Sequence, residues 1–568
     1  MQRRTVFSMR RGMVAARVHV LAVAALCAFT SACADRADRP SGDAALDGPP
    51  VYGGTLVIAA VTDLDAANGL ISRDALTQDL LRNALFLPLL GYGPDAEYVP
   101  RLAESWEMLG DTGVVFHLRN DVHWHDGVRT TAYDVAFTYG RARDPETGFA
   151  NSNYFAHWGD VVVLDSFTVR FGFEPHFDPL AGLPFFPIMP RHLLDTIPAG
   201  ALQRAAFNRS PVGNGPFRFV SQRANDRWTF EANPDFPEGL GGRPYLDRLV
   251  WRVVPENAAQ LTEIRTGSVD LILSPRSDQL EALDALPELR AIVRPSRKYQ
   301  ILGWNGLRPP LDDARVRRAL SMAIDRQEML DALRAGYGRL AIGPIYPDHW
   351  AYAESLEPLP YDTAAALALL AEAGYRDRDG DGTLEDESGH DLRITLTAPG
   401  NNEYNQNVAE KVQADLRKVG IDLRIRSVDF ATMIGDMVSP ERRFDAVFLA
   451  WEADFRPSSL RDQFHSEAIG GPYQLASYQN AEVDRIIDEA SRTHDAEAAR
   501  RLWHELQEIL REDQPFTFLY YTPDLYVVNR RVRGVEMDVR GIFDTLPRWW
   551  KATSTEPQSV ATGVAATK

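Results

Sequence analysis

Short runs of alternating apolar and polar residues are interleaved along this chain with stretches of helical period, the pattern of a mixed α/β protein. Residues 54–59 read as an opening strand. Residues 114–119 alternate and are followed by turn signals at Asn120-Asp121 and Asp126-Gly127. Thr131 and Asp134 have capping-box spacing, which predicts a helix running towards Arg143. With Asp312 as cap, Val316, Ala319, Leu320, Ala323 and Ile324 share one helical face. Val408, Val412, Leu416 and Val419 line another helix, ended by Gly420 and followed by an alternating strand over 421–425. Leu502, Leu506, Ile509 and Leu510 mark a late helix that Pro515 stops before a strand at 516–520.

One strand ends unusually. Residues 444–450 are apolar after Phe444-Asp445, and the chain then presents Trp451-Glu452-Ala453-Asp454, an aromatic face and a carboxylate three positions apart. In α/β sheets ligands gather beyond the carboxyl ends of strands, so Trp451 and Asp454 are candidates for holding a bound solute rather than for catalysis. The structural alternative is that Asp454 caps the next turn while Trp451 fills core.

Both ends of the chain lie outside this pattern. Arg3, Arg4, Arg10, Arg11 and Arg17 precede an apolar run over 18–30, and Thr30-Ser31-Ala32-Cys33 closes it with small residues before a cysteine. The run is shorter than the ~20 residues a spanning helix needs. Residues 1–33 therefore read as a cleaved export signal of lipoprotein type, with Cys33 as the lipidation site. Thr30 stands where a lipobox prefers leucine, which leaves plain secretion as the alternative. Residues 34–51 read as a flexible linker and 553–568 as a disordered tail. With Cys27 in the discarded segment and Cys33 acylated, the mature chain has no thiol for a disulfide, metal site or nucleophile.

Length then implies more than one core, since single cores stop growing at about 250–300 residues. The 61 basic and 79 acidic residues give a net charge of −18. That balance disfavours nucleic acid and anionic lipid as partners. The enzyme class finds no support in a Gly-x-Ser-x-Gly elbow, a His-Glu-x-x-His helix or a phosphate-binding glycine loop. His123 and His125 are two positions apart, as a metal site on a strand could use, but they sit in a turn sequence. Asp377, Asp379, Asp381 and Gly382 have the first half of a calcium loop, yet position 12 is Ser388 where a bidentate Glu is required, so the segment reads as an acidic turn. No metal and no cofactor are expected.

Several motifs, in order, resemble a known family: Pro100-Arg-Leu-Ala-Glu-Ser-Trp106, Phe116-His-Leu-Arg119, His125-Asp-Gly127, Thr131-Ala-Tyr-Asp-Val135, Pro190-Arg-His-Leu193, Pro211-Val-Gly-Asn-Gly-Pro-Phe217, Asn233-Pro-Asp-Phe236, Val316-Arg-Arg-Ala-Leu320 with Ala323-Ile-Asp-Arg326, and Tyr478-Gln-Asn-Ala-Glu-Val-Asp484. Together they resemble the family 5 extracellular solute-binding proteins, the dipeptide and oligopeptide receptors of bacterial ABC importers. The resemblance implies a periplasmic-binding-protein-like type II α/β fold, with two hinged lobes and an extra smaller one. Lobe I would take 52–88, 205–303 and 522–552; lobe II 89–204; and lobe III 304–521, with crossings near 303 and 521. It also implies a peptide captured between lobes and delivered to permease subunits of the inner membrane. The receptor would be a periplasmic monomer, tied to the membrane only by its lipid and not an enzyme. In the peptide-binding branch the carboxylate of a Trp-x-x-Asp motif pairs with the peptide's α-amino group, which assigns that role to Asp454 beside Trp451. Tyr520 and Tyr521, at the late crossing, are candidate cleft aromatics. Glu452 departs from the neutral residue more usual in the motif. An oligosaccharide, a nickel chelate, an opine or haem on the same fold, or a secreted hydrolase, are the alternatives.

Overall fold

The computed structural model describes residues 48–552, apart from 94–96, 176–177, 401, 494 and 539. The export signal, Cys33, most of the linker and the tail lie outside the described residues. Residues 51–552 belong to one compact unit, and none of the described helices is long and apolar enough to cross a membrane.

An eleven-stranded mixed sheet runs through that unit. Its centre is a pair of long antiparallel strands, Leu289–Trp304 and Phe516–Asn529. On one side of them lie Leu271–Ile272, Thr55–Ala60, Arg248–Val253, Arg227–Ala232 and Phe217–Arg223; on the other, Ala446–Glu452, Arg393–Pro399 and Asp422–Val428; the short strand Arg339–Leu340 pairs with Phe516–Asn529 off this order. The two long strands pair from Leu289↔Asn529 to Arg294↔Asp524, lose register, and resume from Lys298↔Thr522 to Gly303↔Phe516. Proline stands in the gap on each strand, Pro295 and Pro523. Proline has no N–H to give to a ladder, so the break is written into both strands at one level.

The cores divide at that level. One pair of apolar clusters draws on residues from Leu56 to Leu289 and from Leu525 to Trp549; the other pair draws on Tyr299 to Tyr521. The break at 295–297 marks the change of core along the strand, since Tyr299, Ile301, Leu302 and Trp304 beyond it all belong to the second pair of clusters. A four-stranded antiparallel sheet built from Ala103–Met108, Gly113–Leu118, Thr168–Phe173 and Trp158–Asp165 shares the first core rather than forming its own.

Local signals explain several elements. Thr131 and Asp134 form a reciprocal capping box on the helix Ala132–Arg143. The helix Ala314–Ala323 is capped by Asp313, not Asp312, with the Asp313 carboxylate accepting the Arg315 N–H. Helices Glu403–Arg417 and Ala496–Asp513 start earlier than their apolar stripes suggest, at the caps Asn402 and Asp495, whose side chains accept N–H groups of the first turn. The Pro211–Phe217 segment needs its glycines: Gly213 lies so close to the chain that a Cβ there would stand 2.0 Å from the Leu85 carbonyl oxygen. The same carbonyl accepts the N–H groups of Asn214 and Gly215. Arg317 and Arg326, both buried in the Val316–Arg326 stretch, serve as donors to orphan carbonyls, Arg317 to Asp513 and Gln514 at the end of the long helix and Arg326 to Phe518.

A charged cleft at the crossing strands

A cavity of about 560 Å³ opens where the two long strands break register. Its floor is the break itself, with Arg294, Arg297, Lys298, Asp524 and Tyr526. One wall is the end of the strand Ala446–Glu452 and the turn after it, carrying Trp451, Glu452 and Asp454, with Tyr473 beyond. The facing wall carries Arg73, Asp74, Asp79, Arg82, Tyr154, Phe185 and residues 540–542. A slightly larger depression of about 600 Å³ follows the rim of the four-stranded sheet, around Gly113, Trp158 and Gly172. It lines an outer edge and gathers few charged groups, so the cleft at the crossing is the candidate site.

Six basic side chains (Arg73, Arg82, Arg294, Arg297, Lys298, Arg540) and six acidic ones (Asp74, Asp79, Glu452, Asp454, Asp462, Asp524) line it. Most are fixed by each other. Asp524 bridges Arg294 and Lys298, the latter at 2.8 Å. Burial pushes its carboxyl pKa up, but the two cations outweigh burial and hold it below the usual range. Asp79 holds Arg82 at 2.6 Å and accepts the Ile542 N–H at 2.7 Å, which fixes the 540–542 wall. Arg297 pairs with Glu452 at 2.6 Å, gives Glu452 a structural partner, and lays its guanidinium 3.9 Å from the centre of the Phe455 ring.

Trp451 and Asp454 both reach the cavity, and both also do the structural work of the alternative reading. The Trp451 indole is half-buried against the lobe core and meets the Tyr473 ring edge-to-face at 6.1 Å. Asp454 Oδ1 accepts the Arg456 N–H at 3.1 Å, closing the turn, and Oδ2 stands 3.5 Å from the Arg456 guanidinium. The carboxylate keeps 17% of its surface exposed, while Arg456 keeps 7%. A charge so placed is dry enough to prefer an ion partner and open enough to meet one from the cleft.

The turn continues into a contact between walls. The Phe455 ring stacks on Phe185 at 4.6 Å and on Tyr92 at 5.5 Å, and Arg456 lies 4.3 Å from the centre of the Tyr154 ring. His349 supports this turn from behind: its Nδ1 accepts the Ala351 N–H at 3.0 Å, so the proton sits on Nε2, which donates to the Phe455 carbonyl at 3.0 Å. Burial pulls the His349 pKa down to about 4.

Tyr520 and Tyr521 do not line this cleft, which corrects their expected role. Strand alternation turns them to opposite faces of the sheet, each into a core. The Tyr520 hydroxyl meets that of Tyr404 at 2.6 Å, and Tyr521 donates to the carbonyls of Gly343 and Ile345. His125 is likewise committed, with Nδ1 accepting the Gly213 N–H and Nε2 donating to the Gly215 carbonyl, so neither nitrogen is left for a metal. Sequence reasoning missed Arg297, Lys298, Asp524, Tyr473 and Phe455. The signal available was a run of charges beside Pro295 and Pro523 within otherwise apolar strands.

Two α/β lobes joined through paired strands, with a charged cavity at the joint and a smaller sheet appended to one lobe, define a type II periplasmic-binding-protein fold, and the solved relatives share it. The family model described as bacterial extracellular solute-binding proteins, family 5 Middle, matches residues 97–472, and the chain belongs to that family. It is 29% identical over 556 residues to the oligopeptide-binding protein AppA of Bacillus subtilis (strain 168), a match covering 96% of this chain and 99% of that protein. The structure of that AppA in complex with a nonapeptide superposes with a TM-score of 0.76 at 27% identity, over 89% of this chain and 100% of the other. A dipeptide-binding protein of Pseudomonas aeruginosa is 28% identical over 470 residues, 77% of this chain and 84% of that protein.

Proposed function

We propose that this solute-binding protein captures peptides in the cleft at the crossing strands and hands them to the permease of an ABC importer. The observation that carries the reading is Asp454: a mostly buried carboxylate at the end of a strand, beside an indole, facing a cavity in which Asp79, Glu452 and Asp524 pair closely with cations that also line it, while the cation nearest Asp454, Arg456, stands 3.5 Å away and outside the lining. A peptide's α-ammonium is a guest that such a carboxylate holds. The equal numbers of acidic and basic side chains around it suit a zwitterion better than a neutral sugar, although the Trp451–Tyr473 pair alone would serve either. The relatives named for oligopeptides and dipeptides support the same choice.

In this reading lobe I (52–88, 205–303, 522–552) and lobe III (304–521) rock about the proline-broken crossing, with lobe II (89–204) riding on lobe I. The ligand favours the shut form because only there do both walls touch it. The protein works outside the cytoplasm as a monomer, anchored by lipid on Cys33, and performs no chemistry on its cargo. Mass spectrometry of small molecules released from protein purified without refolding tests this: peptides are expected, and oligosaccharide or a metal chelate in their place would refute the peptide reading. Recovery of added peptides as fragments would refute the receptor role in favour of hydrolysis.

A further inference from the structure

Away from the cleft, the loop between the helix Thr363–Glu372 and the strand Arg393–Pro399 gathers carboxylates in an arrangement that the transport reading does not use. Asp377, Asp379, Asp381 and Glu385 each offer one oxygen, and these four atoms all lie within 4.8 Å of one another. An ion at the calcium–oxygen distance of about 2.3–2.6 Å reaches oxygens up to roughly twice that distance apart; magnesium, at about 2.0–2.1 Å, requires a tighter cage.

Glu385 provides a second observation. It is only 4% exposed. One oxygen accepts the Arg378 N–H at 2.7 Å, while Oε1 is buried and has no hydrogen-bond partner among the described residues. Buried carboxylate oxygens are ordinarily satisfied, and one left over among three further carboxylates calls for a cation. The neighbouring guanidinium does not serve, since Arg378 is spent on the carbonyls of Asp386 and Gly374. The site is also held in shape: Arg376 and Glu385 exchange backbone hydrogen bonds at its neck, and Gly380 and Gly382 turn the chain with φ of 82° and 91°.

We propose that residues 377–385 bind one calcium ion through Asp377, Asp379, Asp381 and Glu385. Ser388 fails to supply the bidentate ligand of a helix–loop–helix site, and Glu385, three positions earlier and drawn inward by the neck of the loop, takes its place. With no bidentate carboxylate prescribed, the affinity falls in the weak class of extracellular modules, a Kd of about 10⁻⁴–10⁻³ M. The ion acts on the fold and not on the cargo. Leu384, inside the loop, is buried in the lobe core and donates its N–H to Gly420 at 2.8 Å, so an ion that orders the loop pins it to that core. None of its ligands lines the cleft.

The test uses the whole mature chain, stripped with chelator and titrated with calcium chloride by calorimetry and by thermal melting, alongside magnesium chloride at matched ionic strength. One site in the stated range and a rise in Tm of about 1–3 °C at about 10 mM calcium are expected, with little response to magnesium. The double variant Asp379→Asn, Asp381→Asn, whose side chains are exposed, should melt like the stripped wild type and lose the calcium response. No calcium heat and no shift in the wild type, an equal shift with magnesium, or an undiminished response in the double variant would each overturn the proposal.

Discussion

Replacing Asp454 by asparagine isolates its charge. The amide keeps an oxygen to accept the Arg456 N–H, now made at 3.1 Å, so the turn that places Trp451 survives. What is lost is the partner of the guest's ammonium and the weak ion pair to Arg456 at 3.5 Å. Breaking a buried pair by removing one member costs about 3–5 kcal/mol; with 17% of this carboxylate exposed, the lower end applies. At about 1.4 kcal/mol per factor of ten, peptide affinity should fall at least ~100-fold. Calorimetry with a peptide recovered from the native protein measures it, and Asp454→Ala should lose at least as much. Melting curves for each variant guard against misfolding. A variant that melts like the wild type and binds with unchanged affinity would show that Asp454 does no more than cap its turn.

Other expectations follow from the same geometry. Phe455→Ala removes the stacking that joins the two walls, each aromatic pair being worth about 0.5–1.5 kcal/mol, so affinity should fall about tenfold and small-angle scattering of the ligand-saturated variant should show a larger radius of gyration; identical scattering would refute a role for this stacking in holding the walls together. His349 has a folded pKa near 4, below its ordinary value of 6.5, so between these the unfolded chain takes up a proton that the folded chain does not. Stability should therefore decline as pH falls from 6.5 towards 4, by up to about 1.4 kcal/mol per unit from this group, and urea melts of His349→Gln should show a shallower decline. Gly213→Ala should destabilise the fold by about 2–3 kcal/mol, because its Cβ would fall on the Leu85 carbonyl; a wild-type urea midpoint would contradict that close approach.

Much of the scaffold was legible before any coordinates. Period and caps placed the helix after Thr131 and the strand leading to Trp451, since both are governed by neighbours in sequence. The motif glycines and arginines were visible as a pattern, but their reasons were not: Gly213 answers to Leu85, and Arg317 to Asp513, residues far away along the chain. The register break at 295–297 was hidden for a related reason, since a continuous strand does not announce which core it is leaving. Pro295 and Pro523 would have located it, had their shared level been knowable. Tyr520 and Tyr521 illustrate the limit for sites, because nearness to a hinge in sequence says nothing of which face a side chain takes. Glu452 was undecidable until Arg297 was seen beside it.

The central claim is that a cationic end of the guest docks at Asp454. Native mass spectrometry of the delipidated, ligand-free protein mixed with two matched pools of short peptides, one with free amino termini and one acetylated, addresses it most directly. The account predicts complexes from the free pool and few or none from the acetylated pool. Equal occupancy from both would contradict it.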